Sequence, residues 1–531
     1  MIRVQGIKLP VDGTEELLKK KVAKSLAIPQ HVIVEMEISK RSLDARKKDN
    51  IHYVYVVDVK VEDEERVLAK CARMKNNTAV KAPKLTYELP KGDAKLPKRP
   101  IVVGFGPAGL FAGLILAQMG LNPVILERGK DVEARKEAVE LFWKTGELDT
   151  ENNVQFGEGG AGTFSDGKLT TRIKDPRCRK VLEELVQAGA PKEILYDAKP
   201  HIGTDLLRGV VKTMRQEIIR LGGEVHFSAK VVDFMVENES IIGVELADGK
   251  TIETNDVILA VGHSARDTFT MLYEKQVALE PKPFAMGVRV EHPQTMVDVS
   301  QYGDLAGQLP AAEYRLTHTT EKGRGVYTFC MCPGGYVVAA ASEEGRLAVN
   351  GMSHHARDGQ NANSALLVQV FPEDFPDKHP LGGMYFQRDL EEKAFVAGGS
   401  DYTAPVETIG HFLGKDARDC SVNPTYAPAT KEVSMSEIFP EFMIEAMKEA
   451  LPAMGRKLKG FDGENGILTA VESRSSSPVR IMRTISGESY SHKGLYPTGE
   501  GAGYAGGIVS AAVDGIAAAE TVFLRYVKEW V

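Results

Sequence analysis

Cysteine and tryptophan are scarce in this chain, with five and two residues respectively out of 531. The cysteines (Cys71, Cys178, Cys330, Cys332 and Cys420) are scattered, and none forms a C-x-x-C pair. Their odd number argues against a disulfide framework, and a four-cysteine zinc or iron–sulfur site is unsupported, so no metal is expected. No apolar run is long and charge-free enough to span a bilayer. The opening "MIRVQGIKLPVDG" lacks the basic, apolar and small-residue zones of a signal peptide. A cytoplasmic location without a membrane partner is the expectation. Excess positive charge is also missing: the net charge of −7 makes a general nucleic-acid binder unexpected.

What is present is unevenly spread. Residues 1–98 hold 21 basic against 14 acidic side chains, a net +7 that leaves −14 on the rest. Asymmetry of this kind hints at separate domains, and the length calls for two or three. The first 80 residues read as a small α/β unit of the ferredoxin-like kind. "IRVQGIKL" is a strand, "TEELLKKKVAKSLAI" an amphipathic helix, and "VIVEMEI" and "IHYVYVVDVKV" alternate as half-buried strands do. The basic "KRSLDARKKDN" between those two strands suits an exposed hairpin loop. Residues 81–98, rich in Pro and Lys, read as a linker.

The most informative stretch is "RPIVVGFGPAGLFAGLILAQMGLNPVILERG", residues 99–129. A buried strand runs into Gly104-x-Gly106-x-x-Gly109. Gly104 allows the tight turn, Gly106 lets a pyrophosphate approach the backbone, and Gly109 permits close packing of helix on strand. The helix opens with Pro107 and Ala108 and aims its N-terminal N–H groups at that phosphate. Gly120 caps its C-terminal end. "PVILE" is the second strand, and Glu127, 23 positions past Gly104, is placed to accept hydrogen bonds from a ribose diol. An acid there repels a 2′-phosphate, which leaves NAD or FAD rather than NADP.

Gly113 and the "ERG" ending, Glu127 with Arg128, resemble the FAD-binding version of the motif in glutathione-reductase-like flavoproteins. Two later stretches extend the likeness. "DVILAVGHSARD" (256–267) resembles that family's second signature, with Ala260 and Gly262 near the dinucleotide. "GLYPTGEGAGYAGGIVSAAVDGIAAAE" resembles its last, and there the resemblance implies that Gly499 and Glu500 meet the ribityl chain and Gly506, Gly507 and Ile508 the flavin ring. Gly501-x-Gly503-x-x-Gly506 also fits a dinucleotide pattern, but no second strand or ribose acid follows it. Between these lies a strand meander, "EVHFSAKVVDFMVENESIIGVELADGKTIETNDVILAVG", with turns at Asn238–Glu239 and Asp248–Gly249. Its Val231 is counted with the cofactor residues.

A third glycine-rich tract, "NVQFGEGGAGTFSDGKLTTR", offers Gly159, Gly160, Ala161, Gly162 and Thr163 to a pyrophosphate or the ring edge. The same composition suits a flexible surface loop. Its position matches the flavin-contacting loop of fumarate-reductase-type flavoproteins. The whole chain resembles a bacterial group of uncharacterised FAD-dependent dehydrogenases, through "KPFAMGVRVEHPQ", "FCMCPGG", "VNGMSHHARDGQNANSA" and "ESRSSSPVRI" besides the motifs above. The resemblance implies an α/β, Rossmann-like FAD fold of parallel sheet plus β-meander over 99–266 and 465–531, with an inserted α+β cap at 267–464.

The function so implied is hydride transfer between flavin N5 and a small organic substrate, with NAD(P)H or a redox partner as transient electron source. A second nucleotide unit and the C-x-x-x-x-C pair of disulfide reductases are both absent. Catalytic candidates are His263 and Arg266 after the Ala-x-Gly turn, Cys332 beside Cys330, His354 and Arg357 in a polar loop, and Arg474 before the last signature. Each has an ordinary alternative: a satisfied ion pair, a turn residue, a buried thiol. Two other readings stay open, a flavin-dependent tRNA modifier contacting RNA through its basic N-terminal unit and a non-enzymatic flavoprotein with a docking domain.

Overall fold

The computed structural model describes residues 1–74, 77–83, 86–415 and 422–527; Cys420 lies outside them. The N-terminal segment runs strand–helix–strand–strand–helix–strand: Ile2–Leu9, Glu15–Leu26, Ile33–Asp44, His52–Val61, Glu64–Arg73 and Ala79–Lys81. The sheet order is 33–44, 52–61, 2–9, 79–81. Alternation in the first strand buries Ile2, Val4, Ile7 and Leu9 against the first helix. Thr14 caps that helix by accepting from the Leu17 N–H, with Glu15 and Glu16 in the first turn facing the positive end of its dipole. The second helix, which the sequence reading did not name, carries the same signals, with Asp63 as cap and Glu64 and Glu65 in its first turn.

One expectation needs correction here. The basic stretch is not all hairpin loop, because strand pairing with 52–61 continues to Asp44 opposite His52. Arg41 in that strand reaches across to Asp197 in a bidentate pair of 2.7 and 2.9 Å, so part of the positive charge is already matched.

Five parallel strands form the central sheet in the order 495–497, 257–259, 101–103, 124–126, 224–226. On one face the helix Pro107–Gln118 lies beside Thr204–Arg220 and Ile508–Tyr526. "PAGLFAGLILAQ" is apolar all round, and residues 108–117 are all buried, as a helix enclosed between sheet and neighbours must be. Gly113 makes this possible: a Cβ there would sit 2.5 Å from Ile125 Cδ1. On the other face pack Phe234, Ile241, Val244 and Leu246 from an antiparallel meander, 231–237, 240–246 and 251–253. Asn238 and Glu239 both take the left-handed conformation at its first turn, and Gly249 does so at the second.

A second sheet of seven strands follows the order 317–319, 325–332, 361–370, 284–293, 467–472, 404–408, 430–432. The helices Glu441–Gly455 and Gly382–Gly398 cover it with Met443, Met447, Leu451, Leu390 and Ala394. The strand Ile467–Glu472 pairs on both sides within this sheet. The boundary expected at 464/465 therefore falls one strand early, and the chain returns to the parallel sheet only afterwards. Among the described residues no helix is long and apolar enough to cross a membrane.

Candidate functional site

A cavity of about 400 Å³ opens at the carboxyl ends of the parallel strands. Val103 and Gly104, Leu126 and Glu127, Ala260 and Thr498 each line it immediately where a strand stops, the position at which open α/β sheets receive ligands. The seven-stranded sheet closes the far side with Phe329, Cys330 and Glu472.

The glycines at this edge fall into two physical kinds. Gly104 takes φ +94°, and a Cβ there would lie 2.5 Å from the Ala260 carbonyl oxygen; one on Gly109 would lie 1.9 Å from that of Gly104. The protein's own backbone demands both, and Gly109 does not line the cavity. Gly106 is different, with 3.7 Å to its nearest neighbour, and nothing lies within 4 Å of a Cβ at Gly262, Gly506 or Gly507. Gly106 meets Gly160 at ordinary contact distance and the other three face open space, though φ of +73° and +139° calls for glycine at Gly262 and Gly507 on backbone grounds. Pro107, Ala108, Gly160, Ala161, Gly162, Val231 and Ile508 join them in the lining. Gly159, Thr163 and Gly499, expected at the cofactor, stand behind the wall. A Cβ on Gly159 would strike Thr163 Oγ1 at 2.1 Å, Thr163 donates to the Glu158 carbonyl at 3.2 Å, and a Cβ on Gly499 would meet Ala108 Cβ at 2.7 Å.

Glu127 lines the cavity but is already engaged. Its Oε2 accepts from the Phe105 N–H at 2.8 Å, and its Oε1 from Gly129 and Gly157, both at 2.9 Å. One carboxylate thus ties together the first glycine turn, the end of the second strand and the third glycine tract. With about four lone-pair positions on a carboxylate, one on Oε2 is left for a ribose hydroxyl. Glu127→Gln turns one acceptor into an NH₂ group facing backbone donors. It should cost about 1–3 kcal/mol, read as a lower denaturant midpoint. Arg128 also lines the cavity, stacked 4.0 Å over Phe156, and is ion-paired to Glu151 and Asp267. Lys230 bridges the same two acids at 2.8 Å each.

The third glycine tract is not a surface loop. Residues 152–159 are buried, held from behind by Arg135, which is fully buried and donates to the carbonyls of Asn153, Val154, Gly157 and Glu158. Burial without a direct ion pair pushes this guanidinium down to about 10. Sequence reading missed Arg135, since nothing local marks it among the polar residues of its helix.

The catalytic candidates scatter. Arg266 and Arg474 both clamp Glu391, Arg266 at 2.7 and 2.8 Å and Arg474 at 2.7 and 3.1 Å. Arg266 is enclosed away from the cavity, whereas Arg474 reaches its wall. His263 lines it too. Burial, with Arg474, Arg266 and Lys282 nearby, pushes His263 down to about 3, so its imidazole is neutral; Nδ1 lies 3.2 Å from Ser264 Oγ. His354 packs against the Tyr336 ring, and Arg357 is absorbed by Asp166 and Glu313; neither lines the cavity. Cys332 is fully buried behind Cys330, and Cys330 is the thiol that lines the wall. Lys168 also lines it, although nothing in "SDGKLTT" marks it. Its ammonium holds Asp166 at 2.6 Å and donates to the Met331 carbonyl.

Glu500 stands in the wall opposite. Burial pushes its carboxyl up to about 7, with Lys282 acting the other way, and among the described residues its carboxyl oxygens have no hydrogen-bond partner. A cleft with two helix N-termini, unfilled glycines and this free carboxyl fits a dinucleotide with a polyol arm.

Residues 283–475 match a family model described as "FAD-dependent protein, C-terminal domain-like", and residues 1–60 match a domain of unknown function. The first description supports FAD as the cofactor. Glycine oxidase from Bacillus cereus covers 81% of this chain and 96% of its own at 13% identity and a TM-score of 0.31. The glycerol-3-phosphate dehydrogenase from Bacillus halodurans complexed with FAD covers 80% and 63% at 12% identity and 0.32. Scores this low carry no weight for this chain. A Clostridium beijerinckii protein described only as uncharacterised is another matter, being 50% identical over 99% of both chains. With half of its residues shared along nearly its whole length, the chain belongs to the family of that Clostridium beijerinckii protein.

Proposed function

We propose that the chain is an FAD-dependent oxidoreductase that transfers a hydride between flavin N5 and a small organic substrate. In this reading the seven-stranded part is the cap, the N-terminal part a ferredoxin-like accessory unit, and the free thiols fit work in the reducing cytoplasm. The observation that carries the proposal is Gly506. Nothing in the protein lies within 4 Å of its missing Cβ and its φ is not left-handed, yet it precedes the Ile508–Tyr526 helix at the cavity that Gly106, at the start of Pro107–Gln118, also lines. The protein itself has no need of glycine there; a ligand lying against the backbone does.

Bound FAD would supply a two-electron ring that the protein need only position. The N–H groups opening the helix at Pro107 face a diphosphate, Glu127 offers its remaining lone pair to a ribose hydroxyl, and Glu500 offers its carboxyl to the polyol. At the ring end the neutral His263 accepts or donates one hydrogen bond without adding charge. Arg474, held on Glu391, brings the positive field that favours an anionic substrate group or anionic reduced ring.

Titration of the purified chain with FAD tests this. The expected result is one FAD retained per chain, yellow in colour and bleached anaerobically by NADH or NADPH. A cleft that takes up no FAD ends the proposal. FAD that binds but resists both nicotinamides moves the electron source to the substrate or a redox partner.

A further inference from the structure

The strand Gly325–Cys332 breaks its register beside the cavity. Phe329 pairs with Ala365 and Cys332 with Asn363, so one extra residue is squeezed into this strand between the two pairs. Cys330 takes up the irregularity in a left-handed conformation, φ +42°, which a non-glycine residue adopts only when its surroundings impose it. What imposes it is visible. Arg289, fully buried and paired to Glu472 at 3.1 Å, donates to the Cys330 carbonyl at 2.8 Å, and the Cys332 thiol donates to the same carbonyl at 3.3 Å. Lys168 fixes the Met331 carbonyl between them.

The bulge thus sets one thiol at the cavity wall and seals the other behind it, with Cys332 Sγ on the Cys330 carbonyl. Their surroundings are unequal. The Cys332 thiol beside it, with the cations of Lys168 and Arg289, holds Cys330 below the ordinary thiol range, while burial and Asp166 oppose them. Glu472 and Glu500 also face Cys330; burial raises both, so each opposes the thiolate less than a fully ionised carboxylate would. Cys332 is pushed up by its neighbour thiolate and by burial. A poised, accessible thiolate with a protonated partner behind it is the arrangement of a dithiol that attacks and then resolves.

We propose that Cys330 and Cys332 form a dithiol–disulfide couple facing the flavin, deepening the oxidoreductase reading on which it rests. The balance closes without a further reactant. The Cys330 thiolate and Cys332 thiol would give up one electron pair and one proton to bound FAD as the S–S bond forms, leaving the cofactor reduced by two electrons. In reverse, the disulfide would take that electron pair and proton back and return as the Cys330 thiolate and Cys332 thiol. The couple would store a second electron pair at the cavity wall, for a substrate that needs a thiol nucleophile or more than one pair.

Both cysteines fall in one tryptic peptide, residues 325–346. In the full chain without flavin, iodoacetamide should modify Cys330 about tenfold faster than Cys178 at pH 7, with a midpoint below the ordinary thiol value of about 8.5. Diamide should leave that peptide lighter by two hydrogens and unreactive. In the FAD-loaded, diamide-treated chain, dithionite titration should consume two electron pairs per flavin, against one in Cys330→Ser. A Cys330 no faster than Cys178, or a single pair consumed in the wild-type chain with no intrapeptide disulfide, overturns the couple while leaving FAD binding intact. A chain that binds no flavin overturns the oxidoreductase reading, and the couple with it, whatever the alkylation shows.

Discussion

Glu391→Ala should cost the protein about 3–5 kcal/mol, measured as a fall in the denaturant midpoint. Glu391 is wholly buried in the helix Gly382–Gly398 and receives four guanidinium hydrogen bonds, two from Arg266 and two from Arg474, with a further one from Ser473. Arg266 opens the helix that leaves the parallel sheet, and Arg474 follows the last long strand of the second sheet. The alanine variant leaves both cations facing Glu343 alone, which already serves Arg388. Unpaired buried charge, not the lost packing, sets the size of the effect. Burial alone would raise the Glu391 carboxyl, but Arg266 and Arg474 outweigh it and hold it well below the usual carboxylate range. A depressed acid contributes fully above its unfolded value of about 4.3 and loses that contribution as pH falls towards the folded value. The wild type should therefore lose more stability than the variant on acidification below about pH 4, seen in melting temperatures across that window.

Gly506→Leu should weaken FAD binding about tenfold to a hundredfold while leaving the melting temperature of the flavin-free chain nearly unchanged. Its Cβ would point into empty space, so the folded chain has nothing to rearrange. Forcing a side chain into space that a ligand fills costs about 1–3 kcal/mol, and each 1.4 kcal/mol is about a factor of ten. Flavin fluorescence on titration reads the first number, and calorimetry of the apo chain the second. Equal losses in both would assign Gly506 to the fold and remove the main support for the cofactor site.

The first glycine turn, the helix behind it and Glu127 were legible because strand, turn, helix and acid are neighbours in the chain, and each obeys a local rule. Glu127 still held a surprise: its hydrogen bonds to Gly129 and Gly157 join segments whose approach no pattern announces. The opposite wall was largely hidden for the same reason. Cys330, Glu472 and Lys168 come from three segments, the first two brought together by the pairing order of the seven-stranded sheet. Read as a regular strand, this segment offered Cys332, beside Cys330, as the catalytic candidate. The bulge, which only the partner strand reveals, turned Cys330 to the cavity instead. Arg266 and Arg357 looked chemical because they were polar residues in conspicuous places, and both proved to be spent on buried carboxylates.

The linker bears on how the protein can be shortened. Tyr87 donates to Glu520 on the final helix at 2.7 Å, where Arg177 also binds, and Ala94 bridges to Val527. Cutting at residue 98 to isolate the larger part would strip the hydroxyl from Glu520 and bare the outer flank of the helix whose other end meets the cleft. A truncation meant to ask what the small unit contributes should begin upstream of Tyr87, so that any change it brings reports on the unit and not on a frayed carboxyl terminus.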